Sequence, residues 1–500
     1  MKPISSHIWF IILLNLGLGV GLSQAQPLSL GWQGLPSTYS EAKQWDIIGQ
    51  AEKGLWILLN RKQEQRLEYR NLRMQLQQTI TLPSYLNQSD KIALLNTDSG
   101  MHLLFDLFNP SAGEHGLFVS RISKDSSKPE PAQLIFETLE NDDNNLLYYD
   151  LLKDLDGKNG WIVHRACSPN QLTFKYRRIN GSLEQNKASN LVVNAQTLGL
   201  SNKIVFTKCL ALTKIQDHQF AFLFQYKSSP KDRKKTFWGI GFAKMNEHRI
   251  HAIPLNRHGI GEQFLFLSPS MDKDTLSVYG YILDERNQWP YATITYRLNY
   301  THQDHSPESV SIVNVFDQEI DRRLLNLKNS EGNMNKVDDS YASLQVHLDR
   351  SVTLIWRRRY KSSETMVQYS QGIPMYRELI RHHANDWIIT HLREDGTSVW
   401  NQIIPMNLTT NDRTQQLDTY SIVVGQAMLL VGHQNINNRI SPFILQILPN
   451  GHVINPDLEN RLKGQSPKWD GFYPIDANNL IVPSRQSGRN GLLYLHFTKP

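Results

Sequence analysis

Residues 45–82 read WDIIGQAEKGLWILLNRKQEQRLEYRNLRMQLQQTITL. Four runs stand out: WDIIGQA, GLWILLN, RLEYRNL and MQLQQTITL, each with apolar residues at alternating positions and each ended by a short polar break. Successive side chains of a β-strand leave opposite faces, so a period of two marks a strand. The stretch therefore predicts a compact unit of four short strands.

One strand type of that unit recurs along the chain: alternating apolar positions, often a basic residue, then an apolar residue before a turn. It ends at Leu72 in LEYRNL, at Ile122 in LFVSRI, at Ile179 in TFKYRRI and at Met245 in FWGIGFAKM. It returns as TITYRL, WIITHL, FILQI and LLYLHF, ending at Leu298, Leu392, Ile447 and Phe497. Six of the seven spacings fall between 50 and 66 residues and the seventh is 94, which marks an insertion-rich unit at about residues 315–406. A repeat of four short strands at this period is the size of one β-propeller blade. A stack of open sheets exposes its end edges, whereas a ring does not. The eighth strand ends three residues before the C-terminus, and Leu28 to Gln33, LSLGWQ, precedes the first complete unit. The expectation is an all-β, eight-bladed β-propeller, one domain over residues 26–500, closed by the N-terminal strand. Seven blades, or two successive β-sandwiches, are the alternatives.

Residues 391–405, HLREDGTSVWNQIIP, hold an Asp, a Gly and a Trp at close spacing. Two similar stretches surround Ile179-Asn180-Gly181 and Asn450-Gly451, and Asn-Gly and Asp-Gly suit the positive φ of a tight hairpin. A hydrolase Asp-box places Gly two residues after the Asp, but Gly396 follows Asp395 directly. A quinone-binding propeller repeats its docking Trp, which these stretches do not. The motif reads as a turn. REDGTSVWNQIIP, ILPNGHVIN and NNLIVPSRQSGRNGLLYLHF resemble secreted β-propeller proteins of uncharacterised function. That resemblance implies the fold and an exported location, and carries over no catalytic residue. It also implies that Asp395-Gly396 lies on the bottom face, while loops between second and third strands form the ligand-binding top.

The first 25 residues have the three parts of a secretory signal: Lys2, the apolar stretch Ile8 to Leu22, and small residues at Ser23 and Ala25. Cleavage after Ala25 would leave a secreted or periplasmic chain with no further membrane span. A net charge of +6 over 500 residues gives no sign of a nucleic-acid partner. The two cysteines, Cys167 and Cys209, are either a disulfide or small core residues.

Two second-to-third-strand loops are the candidate ligand sites. One is residues 361–386, with Tyr376, Arg377, Glu378, Arg381 and His382; the alternative for PMYRELIRHH within it is a short helix covering a blade edge. The other is KSSPKDRKK, whose Lys231, Arg233 and Lys235 would suit an anionic ligand. His382 and His383 are adjacent and lack the i, i+4 spacing of helical zinc sites, so no metal is expected. Nor is a cofactor. The function expected is a non-enzymatic binding or scaffold propeller that presents top-face loops to a protein or glycan. A carbohydrate-active hydrolase or lyase with carboxylates in the central channel is the alternative.

Overall fold

In the computed structural model the four runs of residues 45–82 are strands Gln44–Ala51, Gly54–Asn60, Gln65–Asn71 and Leu76–Thr81, paired antiparallel in chain order. Seven more sheets follow this plan, giving eight blades in a ring. The structure describes the strands and tight turns of residues 28–497. Residues 1–27, 498–500 and the longer connections, among them 139–148, 180–188, 229–235, 300–308, 318–336 and 411–419, lie outside that description. The expected signal segment is thus outside it, as are Lys231, Arg233 and Lys235. Among the described residues no helix is long and apolar enough to cross a membrane.

Every recurring strand picked out in the sequence is the third strand of its blade, from Gln65–Asn71 in blade 1 to Arg489–Phe497 in blade 8. The described apolar core divides in the same way. Eight of its clusters each join two neighbouring blades, from Trp56, Leu67, Leu103 and Phe105 between blades 1 and 2 to Leu55, Ile57, Ile481 and Leu492 between blades 8 and 1. In blade 6, Leu354 and Trp356 face blade 5, and Ile355 between them faces blade 7. Strands buried on both faces read as continuous apolar runs, which is what LWILL and LIW are.

The ring closes where the sequence placed the closure. Leu28–Gly34 is the outer strand of blade 8, antiparallel to its third strand from Leu28↔Phe497 to Gly34↔Gly491. The Leu35 amide adds a bond to the Asn490 carbonyl at 3.0 Å. Gln33 Nε2 reaches the Arg73 carbonyl of blade 1 at 3.2 Å, and Lys468 of blade 8 pairs with Asp46 of blade 1 at 2.5 Å.

Blade 6 corrects one expectation. Residues 361–386 are neither an irregular loop nor a helix. The second and third strands of this blade, Val352–Ser370 and Ile373–Leu392, run 19 and 20 residues, against 7 to 10 in the other blades. The insertion is a continuation of the hairpin. Register runs unbroken from Arg359↔Ala384 to Ser370↔Ile373.

Deleting residues 26–35 should leave the edge of Arg489–Phe497 open. The expected result is a thermal midpoint several degrees lower and concentration-dependent aggregation, read by calorimetry and light scattering. An unchanged midpoint would mean that this strand does not hold the ring closed.

Candidate functional site

The extended hairpin of blade 6 is the candidate site. Its first strand loses its neighbour, the inner strand Val337–Val346, after Tyr360; its second meets the short strand Leu408–Thr410 only at His382–Ala384. Beyond these points, among the described residues, it is a two-stranded ribbon. Antiparallel partners share a face, so Tyr369, Val367, Tyr376 and Ile380 lie on one side and Met366 and Met375 on the other. All six are exposed, Tyr369 at 72% and Tyr376 at 73%, and they account for six of the sixteen large apolar side chains exposed among the described residues. Fifteen residues of sequence thus hold more than a third of the exposed apolar chemistry.

The residues singled out in the sequence are divided by this geometry. Tyr376, Glu378 and His382 share the Tyr369 face, with Tyr376 and Glu378 exposed and His382 half-buried. Arg377 and Arg381 occupy positions of the other face; Arg381 is half-buried, and for Arg377 only the backbone is described. Strand register thus puts three of the five positions on one face and two on the other. Tyr369, Val367, Met366, Met375 and Ile380 were missed. Their signal was the alternation of SETMVQYS and IPMYRELI around Gln371-Gly372, which reads as two strands and a turn.

The base of the ribbon is anchored by a buried cation. Arg357 is fully buried, its guanidinium lies 4.5 Å from the Trp387 ring centroid, and Nη2 donates to the Ala384 carbonyl at 3.0 Å. Burial pushes it down to about 9, with Arg359 adding to the push and Asp386 opposing it. Burial raises the Asp386 carboxyl, against its bond from the Met406 amide at 2.8 Å and against Arg357. Register shifts here, from Arg357↔Trp387 to Arg359↔Ala384, and such a bulge bends the strand as it leaves the blade. His383 is held between Ser362 Oγ at 2.7 Å and Thr409 Oγ1 at 3.0 Å, and burial lowers it. Among the described residues no cluster of three metal-ligating side chains occurs.

HLREDGTSVWNQIIP is a hairpin turn. The Arg393 amide bonds the Thr397 carbonyl at 2.9 Å, the Gly396 amide bonds the Arg393 carbonyl at 2.9 Å, and Gly396 has φ 91°. Asp395 Oδ1 accepts from the Thr397 amide and hydroxyl at 2.8 and 2.6 Å, which holds its carboxyl low. The same backbone pattern recurs at 448–452 through Gly451, at 71–75 through Met74 and at 347–351 through Arg350. These turns lock blades together. Asn314 of blade 5 bonds the Gly396 carbonyl at 2.8 Å, and Trp400 Nε1 bonds the Pro449 carbonyl of blade 7 at 2.9 Å. His391 stacks on Trp400 at 5.3 Å and shares the Thr353 hydroxyl with His347, at 2.9 and 2.7 Å. One hydroxyl has one proton, so it donates to one ring and accepts from the other.

First strands of neighbouring blades lie against each other around the axis. The carboxylates described on them are partnered: Asp46 by Lys468, and Asp150, raised by burial, by Arg165 at 3.2 Å. Cys167 and Cys209 are half-buried thiols packed against one cluster between blades 3 and 4.

No protein-family model matches the chain, and no curated protein matches it. Among solved structures, the WD40 domain of SCAP from fission yeast is similar at 8% identity and a TM-score of 0.43, over 94% of this chain and 98% of that one. The Dos1 propeller is similar at 9% identity and 0.40, over 94% and 95%. An exo-β-1,3-galactanase from Phanerochaete chrysosporium is similar at 10% and 0.26, over 94% and 96%. No ligand or activity passes to this chain from likenesses this distant.

Two outcomes follow from the turn and the buried histidines. A Cβ at Gly396 would come within 2.7 Å of Thr295, and its φ disfavours any L side chain, so Gly396→Ala should cost about 1–3 kcal/mol in chemical denaturation. Burial pushes His102, His164 and His347 down to about 4, below an unfolded value of 6.5. Between those values the unfolded chain binds more protons, so their stabilisation is full above pH 6.5 and falls away towards pH 4. Each should lose on the order of 2 kcal/mol between pH 7 and pH 5. His102→Gln should flatten the pH dependence of the unfolding midpoint, and an unchanged slope would sink this assignment.

Proposed function

We propose that this chain is a non-enzymatic binding or scaffold propeller of an exported compartment, and that the blade 6 ribbon holds a protein partner. The supporting observation is the exposure of Tyr369, Val367, Tyr376 and Ile380 on one face and of Met366 and Met375 on the other. A two-stranded ribbon is marginally stable in water without a third element. Open edges and contiguous apolar patches are features that proteins cover or use. Here both occur on the hairpin that departs from the blade plan.

The chemistry favours a protein over a sugar. Small-molecule and sugar sites are walled pockets with a few convergent polar groups. Among the described residues the ribbon has no walls; it carries Tyr and Met, which are enriched in protein interfaces, and its two strand edges suit an extended segment. Pro374, opposite Tyr369 near the tip, withholds a backbone donor there and limits pairing along that edge. An exported location rests on the leader sequence and suits a scaffold that works outside the cytoplasm.

The test is photo-crosslinking of the full chain in its native host, with the reactive residue at position 376 and a control at the exposed Thr79 of blade 1. A discrete adduct is expected from 376 alone. Tyr369→Ser with Ile380→Ser should abolish it and leave the thermal midpoint unchanged, because both side chains are already in water. Equal labelling from both positions, or an adduct that survives the double substitution, would overturn the assignment. Fractionation and N-terminal sequencing of the same material check export and cleavage after Ala25.

A further inference from the structure

The chain's two cysteines come from neighbouring blades and pack against the same cluster. Cys167 ends the second strand of blade 3, Gly160–Cys167, and Cys209 lies in the first strand of blade 4, Val205–Gln216. Both pack against the apolar cluster that joins these blades. Arg165 stands two residues before Cys167 and therefore on the same side of the strand. Its Nη1 donates to the backbone carbonyl of Cys209 at 2.8 Å. The side of the strand that carries Cys167 is thus the side that touches Cys209. Register slips beside Cys209, from Cys209↔Phe224 to Ala211↔Leu223, and a bulge takes a side chain out of the regular alternation. Burial pushes the Cys209 thiol up to about 12, with Arg165 opposing and the Cys167 thiol close enough to add to the push.

We propose that Cys167 and Cys209 form a disulfide that staples blade 3 to blade 4 under oxidising conditions. The oxidant is a small-molecule or protein disulfide. The Cys167 thiolate attacks one sulfur of the donor, the donor S–S bond breaks, and one donor thiol leaves. Cys209 passes its proton to the donor thiolate released in the first step, attacks the Cys167 sulfur of the mixed disulfide and expels the second donor sulfur, which leaves as a thiolate and takes a proton from solvent. Two protein thiols are oxidised and one donor disulfide is reduced to two thiols. The bond would close a loop of roughly 40 residues that includes the outer half of blade 3, a size at which a cross-link restricts the unfolded chain substantially. The inference is independent of the ribbon and its partner.

The full chain is equilibrated with oxidised glutathione, unfolded in the presence of an alkylating agent and mapped by mass spectrometry. One peptide pair linked through Cys167 and Cys209 is expected, with neither thiol alkylated until a reductant is added. The oxidised protein should melt several degrees above the reduced protein. Cys167→Ala should remove that difference, and the reductant comparison on the unaltered chain covers the case in which a cysteine variant folds poorly. Alkylation of both thiols after oxidation, recovery of glutathione adducts alone, or links only between chains would each overturn the proposal.

Discussion

A four-stranded twisted sheet with two apolar faces cannot bury either face by itself. Everything else in this protein follows from that constraint. Each blade needs a neighbour on both sides, and the requirement ends only when the last blade meets the first. Eight clusters of the described core accordingly lie between blades. The alternation of a strand, which elsewhere separates core from water, here separates one neighbour from the other. Leu354 and Trp356 serve blade 5 while Ile355 serves blade 7, so no position from Val352 to Arg357 faces solvent. Fully buried Arg357 fits the same scheme, because the Trp387 ring and the Ala384 carbonyl take the place of water around its charge.

The ribbon escapes the constraint. A hairpin that grows from the second and third strands leaves the ring without disturbing any blade interface, since both strands simply continue past the radius at which neighbours meet. The cost is a pair of strands that, among the described residues, has no sheet to join. The bulge between Arg357 and Arg359, the buried guanidinium and the Ser362–His383–Thr409 bridge all sit at the point of departure. They fix the direction in which an otherwise unsupported element leaves the fold. Stability and the proposed recognition therefore rest on separate residues: the ring on side chains buried between blades, the ribbon on side chains in water.

The architecture was legible because it depends on period, and period survives without knowledge of contacts. The spacing of third strands, the missing outer strand after Phe497 and the spare strand at Leu28 needed only the sequence. The site was less legible for a physical reason. Reading 361–386 as a loop or helix weighted the charged residues Arg377, Glu378, Arg381 and His382, whose i, i+4 pattern suits either state. Strand pairing separates them by face and puts Tyr376 with Tyr369, a partner seven residues away across a turn. Position on a ribbon face depends on register, and register is set by a turn that composition alone does not fix. Likewise Met74 and Arg350 take the left-handed conformation that glycine takes at 396 and 451, so a search for Asn-Gly and Asp-Gly finds only some of the turns.

The same logic bears on chemistry at the axis. A propeller can bring carboxylates from distant blades together at its centre, and the linear sequence does not reveal whether it does. The described carboxylates there are held by cations that also join elements of the ring: Lys468 draws blade 8 to blade 1 through Asp46, and Arg165 ties Asp150 within blade 3 while its second arm reaches blade 4 at Cys209. Each of these ion pairs fixes the position of its carboxylate against a neighbouring element. Both ion pairs bind elements of the ring to each other, whereas the blade 6 ribbon carries its large apolar side chains in water.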